Sequence, residues 1–135
     1  MIRTEPNASP ALPLQPVPFE RVVFTDPIWA PRQKRNREVT LPHHLETTRG
    51  LVRDFESLAD PASARKPYEP SRDLHLWSDM FVHNVTEALA ATLALTPDRG
   101  LQTELDRRIA VTAAAQESDG YLHAFHQIHA KRHWD

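Results

Sequence analysis

Proline placement divides this chain before any other feature does. Eleven of the 12 prolines lie between Pro6 and Pro70, and only Pro97 falls in the second half. Pro6, Pro10, Pro13, Pro16 and Pro18 forbid a helix and remove the backbone donors a strand needs, so residues 1–17 read as an extended, proline-rich leader. Residues 18–135 must carry whatever folds. Phe19 to Phe24 is aromatic and β-branched, which predicts a short strand or extended clamp ahead of the turn signal Thr25-Asp26-Pro27. Ala30-Pro31 places a proline where a first helical turn tolerates it, and a helix is expected over Arg32 to Thr40, disrupted by Pro42. A second segment, His43 to Arg49, is expected to end at a capping Gly50, with one or two further helical turns from Leu51 to Leu58. Asp60 to Arg72, with three prolines, reads as a surface loop.

The proline-poor half reads as helix. Val82, Val85, Leu89 and Leu93 recur at helical spacing between Ser78 and Leu95. Thr96-Pro97-Asp98-Arg99-Gly100 interrupts, and Leu101, Leu105, Ile109 and Val111 to Ala115 predict a second helix ending near Gln116. The pair is expected to form an antiparallel hairpin whose alanine-rich faces admit close neighbours. Ser118-Asp119-Gly120 then makes a turn.

Composition narrows the chemistry. Sixteen Lys and Arg against 18 Asp and Glu give a formal charge of −2, with no basic field to attract nucleic acid. No apolar run approaches the roughly 18 residues of a spanning helix, and the amino terminus lacks an uninterrupted apolar signal segment, so no membrane contact and a cytoplasmic location are expected. The absence of cysteine removes disulfides, thiolate metal sites and thiol nucleophiles. With only three glycines, at 50, 100 and 120, there is no phosphate-cradling loop and no dinucleotide fingerprint.

Eight histidines remain to be weighed, four of them in the last thirteen residues: His123, His126, His129 and His133. On one continuous helix these four would share an arc of about 120°, which permits a shared metal or a pH-sensitive strip. No Asp or Glu lies between Asp119 and Asp135 to complete such a site, and no zinc-protease spacing is present. A solvated or partner-facing segment is the plainer reading. Arg32, Lys34, Arg35 and Arg37 form a basic cluster without stacking aromatics, suited to salt bridging. Among carboxylates, Asp73, Asp79, Glu87 and Asp119 could serve glycoside chemistry, but Asp79 at a helix start and Asp119 before Gly120 have structural roles open to them.

Two strings carry a resemblance. Trp29-Ala-Pro-Arg-Gln-Lys-Arg-Asn-Arg-Glu-Val-Thr-Leu-Pro-His43 is similar to a W-x-P-R-x-x-x-N-R-x-x-T-L-P opening, and Ala113-Ala-Ala-Gln-Glu-Ser-Asp-Gly-Tyr-Leu122 to an A-A-Q-x-x-D-G-Y-L turn. Both patterns are those of glycoside hydrolase family 127, which includes non-reducing-end β-L-arabinofuranosidases. The likeness covers most of Phe19 to Trp134, the amino-terminal portion of such an enzyme. Members usually open a helix with D-S-D-V-Y-K-W, whereas this chain has Asp79-Met80-Phe81-Val82-His83-Asn84-Val85, keeping the first Asp and the Val.

What the resemblance implies is an all-α fold, an incomplete (α/α)6 toroid of helical hairpins behind the leader, with three to five helices read here against about twelve in a full ring. It also implies a zinc-supported cysteine nucleophile and a glutamate acid/base, neither of which falls within this chain. The expectation is therefore a truncated amino-terminal segment of a β-L-arabinofuranosidase-like glycoside hydrolase, inactive alone, with no catalytic residue, no metal ligand and no cofactor of its own. Carbohydrate is the expected partner only where the missing part completes the site. If this portion lines the sugar-binding wall, Asp119, Tyr121, His123 and His126 are the candidates. The competing reading is a non-enzymatic helical module whose His-rich end binds metal or a protein partner. Leaving about 500 Å² of apolar helix surface uncovered would forfeit on the order of 12 kcal/mol, and self-association is one way to cover it.

Overall fold

The fold was described from a computed structural model, which defines residues 17–60, 70 and 74–130. Residues 1–16 of the expected leader, most of the expected loop between Asp60 and Arg72, and His133 lie outside them. Among the described residues there are six α-helices and no strand: α1 (Trp29–Arg35), α2 (Leu41–Thr47), α3 (Arg49–Ala59), α4 (Ser78–Leu95), α5 (Arg99–Ala115) and α6 (Ala124–Ile128). The all-α expectation holds, with six α-helices where three to five were read.

The expected strand at Phe19 to Phe24 is a single 3-10 turn, Phe19–Arg21, followed by extended backbone. An isolated β-type stretch has no ladder partner here for its N–H and C=O groups, and Val23 is left 77% exposed. Asp26 then caps α1, its Oδ1 accepting from the backbone N–H groups of Ile28 at 2.9 Å and Trp29 at 2.7 Å. The Trp29 amide, first among the causes, holds the Asp26 carboxyl below its ordinary range.

Pro42 does not break the helical path. A π-turn over Asn36–Thr40 joins α1 to α2, and the Leu41 N–H donates to the Asn36 carbonyl five residues back. The widened turn makes room for the Pro42 ring, which then sits in the first turn of α2, where no N–H is required. Gly50 is likewise not a cap. The bend falls at Thr48 (φ −88°, ψ 0°), and Gly50 belongs to the first turn of α3.

The α4–α5 hairpin lies where the spacing of its apolar residues puts it. Asp98 starts α5 by accepting from the Leu101 N–H at 3.0 Å. The core has two parts. Leu51, Val52 and Phe55 of α3 meet Val82 of α4, Ala115 of α5 and Ala124 of α6. Leu41 of α2 meets Val85 and Leu89 of α4 and Leu105 of α5. The hairpin is thus a spine with α2 near its connection and α3 and α6 near its open end.

Two ionisable side chains are buried within this frame. Asp54 is 0% exposed on α3, and Arg108 is 1% exposed on α5. The Arg108 guanidinium donates to Glu104 Oε1 at 2.7 Å, to the Leu45 carbonyl at 3.3 Å and to Thr48 Oγ1 at 3.1 Å. It fastens α5 to the α2–α3 bend, supplying a donor to a carbonyl that the bend leaves without a helical partner. Arg107 beside it holds Glu104 and reaches Glu56 on α3, and its hydrogen bond is the first cause keeping the Glu104 carboxyl below its ordinary range. No helix among the described residues is long and apolar enough to cross a membrane.

Candidate functional site

The open end of the hairpin gathers the polar groups that sequence reading singled out. After α5 the chain turns sharply: Gly120 adopts φ +93°, and its N–H donates to the Glu117 carbonyl at 2.9 Å. Glycine fits because a side chain disfavours that φ. Asp119 Oδ1 accepts from the Tyr121 N–H at 2.9 Å, and the Tyr121 carbonyl accepts from the Glu117 N–H. Gln127 then ties the returning chain to α5, its Nε2 donating to the Ala115 carbonyl at 3.0 Å and its Oε1 accepting from the His123 N–H at 2.8 Å.

This turn places three rings in a row. His123 and His126 stack with centroids 4.1 Å apart and planes 8° from parallel. Tyr121 lies nearly parallel to His123 at 6.4 Å, with its hydroxyl 3.0 Å from His126 Nδ1. The phenol donates there when Nδ1 carries no proton. Desolvation, followed by the Glu117 and Asp79 carboxylates, raises the Tyr121 phenol above its ordinary value, so it stays a neutral donor through the physiological range.

Asp79 supplies the charge beside the rings. Its Oδ2 accepts from the Ala124 N–H at 2.9 Å and lies 3.9 Å from His123 Nδ1. That distance is too long for a hydrogen bond and short enough for attraction once the imidazole is protonated. Asp79 Oδ1 and His123 Nδ1 are both buried without a hydrogen-bond partner. Asp79 therefore does not cap its own helix; it caps α6, about 45 residues along the chain.

Of the four expected site residues, the structure brings together Tyr121, His123 and His126. Asp119 is exposed and serves the turn instead. The residue missed from that set is Asp79, for which a structural role had been preferred. Its position in the recognisable run opening α4 was the available signal, but nothing local to the sequence pairs it with Ala124. The single helical face on which the sequence allowed these histidines to meet does not form for His123, His126 and His129. α6 is only five residues long, His123 precedes it, and His129 follows it with Nδ1 donating to the Phe125 carbonyl at 2.7 Å. Among the described residues no group of three or more His, Cys, Asp or Glu is placed to hold a metal ion. With no cysteine in the sequence, the donor set also fails to fit the thiolate-bound zinc that the family resemblance implies.

No curated protein and no solved structure matches this chain. The family model described as β-L-arabinofuranosidase, GH127 catalytic domain, matches residues 21–135, and that domain is of the helical toroid type, in keeping with the six helices described above. The match takes in the π-turn, the hairpin and the row of rings at its open end, and the chain belongs to the GH127 catalytic-domain family of β-L-arabinofuranosidases.

Proposed function

We propose that residues 18–135 form opening helices of a β-L-arabinofuranosidase-type glycoside hydrolase and contribute one wall of its sugar site, without cleaving the glycosidic bond themselves. The observation that carries this reading is the row Tyr121–His123–His126 standing against Asp79. A phenol, two imidazoles and a carboxylate supply the donors and acceptors that sugar hydroxyls need, and the ring edges supply apolar contact.

Cleavage requires a nucleophile or base together with an acid on opposite sides of the bond. Two carboxylates act on the row among the described residues: Asp79, with one oxygen already committed to the Ala124 amide, and Glu117, whose charge reaches Tyr121. With no cysteine in the sequence to act as the family's nucleophile, bond breaking in this reading rests on groups outside these 135 residues. The partner is a carbohydrate, bound fully once those groups complete the site; this chain works in the cytoplasm.

The test is a pair of measurements on the 135-residue chain. Incubation with a β-L-arabinofuranoside is expected to release no arabinose. Titration of ¹⁵N-labelled chain with L-arabinose is expected to shift amides from Tyr121 to Gln127, with the shifts reduced in Tyr121→Phe and His126→Ala. Reproducible arabinose release would overturn the assignment of inactivity, and the absence of arabinose shifts between Tyr121 and Gln127 would overturn the assignment of the wall.

A further inference from the structure

Phe81 lies about 200° round α4 from Asp79, so it faces away from the row of rings. There, the π-turn and α2 leave a depression of about 250 Å³ against the first half of α4. Its floor is apolar, made by the buried Leu41 and Val85 and by Ala88. The Phe81 ring walls one side. It is 44% exposed and is held edge to face against His75 at 6.4 Å.

Three polar side chains stand at the rim: Asn36, His44 and Asn84. Asn36 opens the π-turn, and such a turn shifts the register of the side chains that follow it relative to a regular α-helix. His44 and Asn84 come from α2 and α4, so three separate segments converge on one space. Among the described residues none of these three side chains makes a hydrogen bond, although the His44 carbonyl is fully used by Thr47 and Thr48. Two amides and an imidazole offer donors and acceptors in nearly equal number, as do the hydroxyls of a sugar. The phenyl ring and apolar floor suit the C–H face of the same ring. Among the described residues no Lys, Arg, Asp or Glu lines the space, so a charged ligand would lose hydration there without an ion among them to replace it.

We propose that this pocket is a second carbohydrate-binding site, taking one neutral sugar ring stacked on Phe81 and held by Asn36, His44 and Asn84. It shares no side chain with the Tyr121–His126 row and stands whether or not that row contacts sugar. The experiment uses the full ¹⁵N-labelled chain titrated with L-arabinose, D-xylose and D-glucose to about 50 mM, a range that saturates a site of millimolar Kd. Saturable shifts of the Asn36 and Asn84 side-chain amides are expected with at least one of the three. Asn84→Ala and Phe81→Ala are expected to weaken that binding about tenfold or more, and His126→Ala to leave it unchanged. Asn84 is exposed and alanine favours helix, so the first variant keeps its fold where loss of Phe81 loosens α4. Glucuronate is expected to give no shift at these amides. The proposal is overturned by shifts absent from the pocket, confined to Tyr121–Gln127, undiminished in both variants, or equalled by glucuronate.

Discussion

Replacing Asp79 by alanine tests the link on which the row of rings depends. In the native protein the Ala124 N–H is buried and donates to a carboxylate, a class of hydrogen bond worth about 1.5–3 kcal/mol. Alanine removes the acceptor and leaves a buried donor unpaired. Part of that loss is offset, because the native Asp79 Oδ1 is itself buried without a partner. The net expectation is a destabilisation of about 2 kcal/mol, roughly a 30-fold change in the unfolding equilibrium. Asp79→Asn retains a neutral acceptor and is expected to cost about half as much. Urea unfolding followed by far-UV circular dichroism gives the two values, and hydrogen exchange at the Ala124 amide reports the bond directly. The reasoning fails if Asp79→Ala lies within about 0.5 kcal/mol of wild type while the Ala124 amide keeps its protection.

Arg108→Ala is expected to cost about 3 kcal/mol or more, because it opens a cavity and leaves the Leu45 carbonyl and Thr48 hydroxyl without their donor; Arg108→Met, which keeps the stem's packing, should recover roughly half in the urea midpoint. Glu104 and Asp26 have folded-state values below their ordinary ones, so their stabilisation is complete above those ordinary values and lost as pH falls through the folded ones. Stability should therefore be flat near neutrality and decline below about pH 4.5, with a shallower decline in Glu104→Gln. Trp77, Met80, Val39 and Ile109 are each more than half exposed, which predicts concentration-dependent self-association; light scattering should give a mass above 15.4 kDa that falls on dilution, and Trp77→Ser with Met80→Ser should lower it.

The Asp79 result bears on how sites of this kind escape sequence reading. Tyr121, His123 and His126 were legible because they follow a recognisable turn within a few residues of one another. Asp79 lies more than 40 residues earlier, and its partner is a backbone N–H, which every non-proline residue possesses. Arg108 and Asp54 carried a weak signal. Arg108 falls on the Leu101–Leu105 face of α5, and Asp54 lies between Leu51 and Phe55 on α3, so helical spacing alone marks both as inward. Their charge argued the other way. Burial of an ion is decided by whether a partner stands opposite, which one helix's pattern does not contain. Phe81 and Asn84, both departures from the family's usual run, became meaningful only when α2 and the π-turn were found facing them.

Local chemistry, then, settled the elements whose causes are local. Apolar residues at helical spacing set α4 and α5, Pro97 and Asp98 set the connection between them, and Gly120 set the turn after them. Two strings of residues were enough to point to the family. Tertiary structure decided what depends on neighbours: that Phe19 to Phe24 has no strand to pair with, that a π-turn carries the helix past Pro42, and that the histidines meet by stacking across a helix start instead of along one face. The physical reason is common to these cases. Spacing and caps act within a few residues, whereas hydrogen-bond satisfaction, ion burial and ring stacking are fixed by groups that only folding brings within a few ångströms.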